Sequence, residues 1–213
     1  MADLEVPMAD LEQQFWKHFD DRASSWRDGC PDTAALAKMS AEERARVEAV
    51  LLDRLSRRPI ADDWVLRALG ELGSKAAEPL LKPLLEPGVS GTVRVAAAAA
   101  LWRISRLPGA VSVICDVLLR RRPNRKTDTV DSSRIDAAVA LGYIDTPESR
   151  AALKEAATDL NYLVAYNAKS ALRTLETGKY DPWGQMVEDG WNKTENANGT
   201  VTFSRPKPSK RKR

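Results

Sequence analysis

The sequence contains one histidine, His18, and only two cysteines, Cys30 and Cys115. That scarcity excludes a histidine-based metal cluster, a Ser-His-Asp set and a Cys-His pair within a repeat. Two cysteines make no disulfide framework, and both are expected as free thiols, Cys115 inside an apolar helical run. No glycine-rich loop of the phosphate-cradling kind is present. No apolar stretch approaches the roughly 18 residues of a membrane span. The first residues, Met1-Ala2-Asp3-Leu4-Glu5, are acidic and lack a signal-peptide pattern. The expectation is a cytoplasmic chain with no membrane contact, no cofactor, no metal and no catalytic residues.

Excess charge of one sign is also missing from most of the chain. The net charge is +3, but Ser204 to Arg213 hold six basic residues and no acid, which leaves −3 for residues 1–203. A polyanion-binding surface along the whole body is therefore not indicated. Basic residues concentrate in two places. One is the tail, 205–213. The other is a run containing Arg120, Arg121, Arg122, Arg125 and Lys126, with Pro123 inside it. Such a run cannot pack in a core and reads as a solvent loop, either plainly solvated or an anion-binding contact.

What the chain does have is a recurring helix. Val93-Arg94-Val95-Ala96-Ala97-Ala98-Ala99-Ala100-Leu101-Trp102-Arg103-Ile104 is rich in good helix formers and free of Gly and Pro. Its small side chains let a neighbouring helix approach closely, with Leu101 and Ile104 pointing into the contact. The pattern returns around Leu69, Leu141 and Leu172, so that the Ala-Leu leucines are spaced 32, 40 and 31 residues apart. A period in this range, with one helix pair per period, predicts an all-α, stacked α-solenoid of antiparallel helix pairs. The basic run accounts for the longer spacing of 40.

Three segments follow: an N-terminal helical cap over 1–39, a repeat body over 40–178, and an extension over 179–213 carrying a small hairpin and a disordered basic tail. In the first segment, Leu11, Phe15 and Phe19 share one helical face beside Trp16. Ser40 and Glu43 form a capping box for a helix carrying Val47, Val50, Leu51 and Leu55. Helix pairs are expected at 62–72 with 75–86, 91–105 with 109–121, and 132–144 with 147–157, then a last helix at about 160–176. Pro79 and Pro83 predict an irregular second helix in the first pair, with Leu80, Leu81, Leu84 and Leu85 inward. Asp62, Asp63 and Asp145 sit where helix caps belong.

Val93-Arg94-x-x-Ala97-Ala98-x-Ala100-Leu101-x-x-Ile104 resembles the first helix of HEAT-like repeats of the phycobilisome-lyase type. Arg134-x-x-Ala137-Ala138-x-Ala140-Leu141-x-x-Ile144 is similar to it. The resemblance covers roughly 61–178 and implies a HEAT-like fold. Members of that group include bilin lyases, adaptors and other protein-binding modules, so fold-level analogy says little about function. The di-iron HEAT-repeat hydroxylases rely on His-Glu motifs that are absent here. The related alkylpurine glycosylases use a basic groove, which the acidic body does not offer.

Aligning the repeats on their leucines singles out aromatics. Trp64, five before its leucine, has Ala96, Asp136 and Asn167 as equivalents; Tyr143, two after, has Glu71, Arg103 and Thr174. Positions that accept polar residues elsewhere are expected on the surface. Trp64, Trp102, Arg103 and Tyr143, with Lys82 and Glu86 of the second-helix row, are the expected partner-binding residues. Trp102 has Gly70 and Gly142 as equivalents, so it either anchors a partner or fills a tight seam. Mixed charge on the second helices favours a protein partner over nucleic acid. The expected function is non-enzymatic protein binding, as an adaptor or a small neutralising partner of the immunity-protein kind. Alternatives are nucleic-acid binding through the 120–126 run and the tail, and a bilin-lyase-like activity.

Overall fold

The computed structural model describes residues 9–20, 33–57, 62–120, 132–179, 192–195 and 201–204. Helix α1 (Ala9–Asp20) is followed by α2 (Thr33–Lys38) and α3 (Ala41–Arg57). The capping box opens α3: Ser40 N donates to Glu43 Oε2 (2.8 Å) and Glu43 N to Ser40 Oγ (3.2 Å), and these bonds hold the Glu43 carboxyl below its usual range. α4 (Asp63–Leu72) starts on the side chain of Asp62 and stops at Gly73, whose φ of 69° closes the helix.

The segment that follows is broken as its prolines require. A 3-10 turn (Lys75–Ala77), a single α-helical turn α5 (Glu78–Leu81) and a second 3-10 turn (Lys82–Leu85) replace one helix. Leu81 is buried and Leu84 and Leu85 are half-buried, but Leu80 points outward at 38% exposure, contrary to expectation. Then come α6 (Gly91–Ser105), α7 (Pro108–Leu119), α8 (Ser132–Leu141), α9 (Pro147–Ala156) and α10 (Tyr162–Thr177). Thr146 caps α9 through Ser149 N (3.1 Å), while Asp145 instead pairs with Arg150 (2.6 Å). Strands β1 (Asn192–Glu195) and β2 (Val201–Ser204) form an antiparallel hairpin with Lys193 opposite Phe203.

The Ala-Leu helices stack side by side as α4, α6, α8 and α10, and the second helices form a row behind them in which α7 packs on α9. The anchoring leucines Leu69, Leu101 and Leu141 are fully buried, and Leu172 packs half-buried on the same core. Small residues set the spacing. A Cβ added to Gly70 would lie 2.8 Å from Ala100 Cα, and one on Gly142 would lie 3.0 Å from Ala171 Cβ. In each case the glycine just after one leucine meets the alanine just before the next. Trp102 fills that position on α6, and Arg173 fills it on α10.

Cations tie the rows together at helix C-termini, where unpaired carbonyls need donors. Arg94 Nε donates to Leu85 O (3.0 Å) and Arg134 Nε to Leu118 O (2.7 Å), each to the end of the preceding second helix. Arg134 also pairs with Asp159. Arg44, Lys75 and Arg150, near the starts of second-row elements, donate to Leu72 O, Ile104 O and Leu175 O. The arginines of the repeated motif are thus structural.

At the N-terminal end α1 lies along α3. Glu12 pairs with Arg46 (3.0 Å) and Asp20 with Arg54 (2.9 Å), so both helices run in the same direction. Phe15 and Phe19 are fully buried beneath it.

Candidate functional site: the face of the Ala-Leu helices

Residues five before, two before and two after each anchoring leucine share one helix face. On successive helices these are Trp64, Arg67 and Glu71; Ala96, Ala99 and Arg103; Asp136, Val139 and Tyr143; Asn167, Ser170 and Thr174. Ion pairs run along this face. Arg103 pairs with Glu71 across the α4–α6 seam. Arg67 lies 3.6 Å from Asp63 on its own helix and reaches Asp136 on α8, at 3.4 Å, over the top of α6. Packed helices sit roughly 8–10 Å apart, so this bridge across two steps requires the row to curve inward on this side. Burial pushes the Asp136 carboxyl up, against the opposing pull of Arg67.

The face is capped at one end. Trp64 is 7% exposed: its ring meets Phe19 at 5.9 Å edge-on and His18 at 6.0 Å. The expectation of an exposed anchor there is corrected, because α1 covers the first repeat helix. Its equivalents misled for two reasons. Ala96 is itself buried at 2%. Asp136 is half-buried and meets an arginine from two repeats away, so its polarity does not mark a freely exposed position.

At the other end the face opens. Tyr143, just beyond α8, is 53% exposed, as its repeat position predicts. It borders a small cleft between α8 and α10, with room for about one water molecule, lined by Val139, Gly142, Tyr143, Asn167, Ser170, Ala171 and Thr174. None of these carries a charge. Ser170 is 4% exposed and its Oγ is buried without a hydrogen-bond partner. Ser170 was not singled out from sequence, because a serine two before the leucine reads as an ordinary helix-surface residue.

The remaining expected residues scatter. Trp102 is half-buried against the core with Arg106 over its ring at 5.4 Å, which fits the seam reading. Arg103 belongs to the inner face. Lys82 and Glu86 are exposed, but on the second row, apart from Tyr143. Arg120 is exposed at the end of α7, while Arg121, Arg122, Arg125, Lys126 and the tail lie outside the described residues, as does Cys30. Cys115 is a buried free thiol, pushed up to about 12 chiefly by desolvation. Among the described residues no group of His, Cys, Asp and Glu is arranged to hold a metal, and no helix is long and apolar enough to cross a membrane.

The family model for the PBS lyase HEAT-like repeat matches residues 63–87 and 133–159. The chain carries HEAT-like repeats. No curated protein and no solved structure matches it. The first matched HEAT-like repeat is α4 with the broken segment behind it, and the second is α8 with α9. Between them α6 and α7 stack in the same register without a match of their own.

Proposed function

We propose that this chain is a non-enzymatic protein-binding module, an adaptor or a small neutralising partner of the immunity-protein kind, and that it binds through the open end of its inner face around Tyr143. One observation carries the reading: a half-exposed tyrosine stands beside an uncharged cleft, on a face whose charged residues are otherwise committed to pairs between helices. Tyrosine beside a desolvated pocket is the usual composition of an interface hot spot. The location that goes with this reading is cytoplasmic.

The test begins with capture of the tagged chain's co-purifying protein, followed by calorimetry with purified components. Tyr143→Ala is expected to weaken that complex by about 1–3 kcal/mol while the helical circular dichroism is unchanged. Full affinity in Tyr143→Ala would remove this face from the account. If the chain instead binds DNA or RNA with steep salt dependence, and deletion of 204–213 with neutralisation of Arg120, Arg121 and Arg122 abolishes that binding, the basic segments replace it as the interface.

A further inference from the structure

Among the described residues three helices end on a left-handed backbone, at Gly73 (φ 69°), Gly178 (φ 70°) and Arg106 (φ 55°). Glycine adopts that conformation freely, whereas a residue with a Cβ is strained in it. The cap itself does not call for arginine. Arg106 N donates to Trp102 O (2.9 Å), and Gly178 N makes the same bond to Thr174 O (2.9 Å). What arginine adds is its side chain, which is exposed and lies over the Trp102 ring at 5.4 Å. A cation over a surface indole is a weak contact and leaves the N–H donors of the guanidinium free. The other cations around the end of α6 are matched. Arg103 pairs with Glu71, and Lys75 lies 3.5 Å from Glu78 while donating to Ile104 O (2.9 Å). Among the described residues no carboxylate pairs with Arg106, so one positive charge is left over.

That charge stands on the rim that carries Tyr143. A Cβ added to Gly91, at the start of α6, would lie 2.7 Å from Ser133 Cβ, at the start of α8. The two helices therefore run side by side in the same direction, and Arg106 caps one where Tyr143 follows the end of the other. A strained residue kept for a side chain the fold scarcely uses points to function, and Trp, Tyr and Arg dominate interface hot spots. A single unmatched cation suits one carboxylate, whereas nucleic acid needs a run of cations. Resting on the reading of Tyr143 as the anchor, we propose that Arg106, seated on the Trp102 indole, takes an acidic side chain of the partner protein beside Tyr143.

The test uses the full chain, ¹⁵N-labelled, titrated with N-acetylglutamate methylamide as a carboxylate probe and with N-acetylglutamine methylamide as its neutral counterpart. Saturable shifts of Arg106 Nε and of the Trp102 indole N–H are expected for the first, weakening as salt is added, and not for the second. Equal shifts from both probes, or none from the carboxylate, would overturn the proposal. Arg106→Gly gives a second readout. It relieves the backbone, so the melting temperature of the free chain is expected unchanged or raised, while the captured protein binds about tenfold more weakly, the loss of a hydrogen bond to a charged group. A lowered melting temperature would show the arginine serving the fold and would overturn the proposal. So would an oligonucleotide that the wild-type chain binds and Arg106→Gly does not, the guanidinium then serving a phosphate. If Arg106→Gly binds the captured protein at full strength while Tyr143→Ala does not, only the assignment of Arg106 falls. If Tyr143→Ala leaves that protein's affinity intact, the reading beneath it falls as well.

Discussion

Gly70→Ala tests the closest contact in the stack. An ideal Cβ there lies 2.8 Å from Ala100 Cα and 2.9 Å from Ala100 Cβ, so α4 and α6 must part by about 0.6 Å before the contact reaches the ordinary 3.4 Å. The obstacle is backbone, which cannot swing aside as a flexible side chain would. Two opposite effects compete. Alanine in a helix interior gains about 1 kcal/mol over glycine. Forcing a methyl into a filled core costs about 1–3 kcal/mol, and here the separation is imposed on the whole buried strip from Ala96 to Leu101. With backbone as the obstacle the second effect wins, giving a net loss of up to about 2 kcal/mol. Gly142→Ala meets Ala171 Cβ at 3.0 Å and Cα at 3.2 Å, a smaller overlap, and is expected to lose less. Gly73→Ala is the control: nothing lies within 4 Å of its Cβ, so any loss comes from its left-handed backbone alone. Urea denaturation followed by far-ultraviolet circular dichroism reads all three. Gly70→Ala at or above wild-type stability would refute the close-approach argument.

Other outcomes follow from the same packing. Arg134→Met removes the donor to Leu118 O and leaves Asp159, whose side chain is only 11% exposed, without its countercharge; a loss of about 3–5 kcal/mol is expected in denaturant melts, restored in part by adding Asp159→Asn, which removes the uncompensated charge. Phe19→Ala opens a fully buried site under α1 and uncovers Trp64, so stability is expected to fall by about 3 kcal/mol with a red shift in tryptophan emission. In a Cys30→Ser background, Cys115 is expected to resist Ellman's reagent until the chain unfolds. Its thiol is raised from 9.0 to about 12 by burial, so the unfolded state releases the proton first. Stability is therefore whole below pH 9 and declines as pH rises from 9 towards 12, and Cys115→Ala flattens that decline.

The sequence made the stack legible because close packing writes itself locally. Alanine runs, glycines after the leucine, prolines at 79 and 83 and the capping box Ser40–Glu43 each depend on neighbours within one helix pair, and the Ala-Leu helices appear within a few residues of where those signals put them, whereas the short helix Thr33–Lys38 gave no such signal. The site was half legible. Tyr143 stands out because its equivalents are polar and it follows the end of α8. Trp64 was misread because alignment treats all repeats as having the same neighbours, whereas the first helix is covered by α1. Asp136 and Ser170 could not be read at all. The partner of one comes from two repeats away, and the burial of the other depends on the gap between α8 and α10, which no spacing records.

Hydrogen–deuterium exchange of the full chain with and without its captured protein locates the bound face. New protection is expected over residues 139–143 and 167–174, the lips of the Tyr143 cleft. Protection confined to α7 and α9, or to the basic tail, would contradict it.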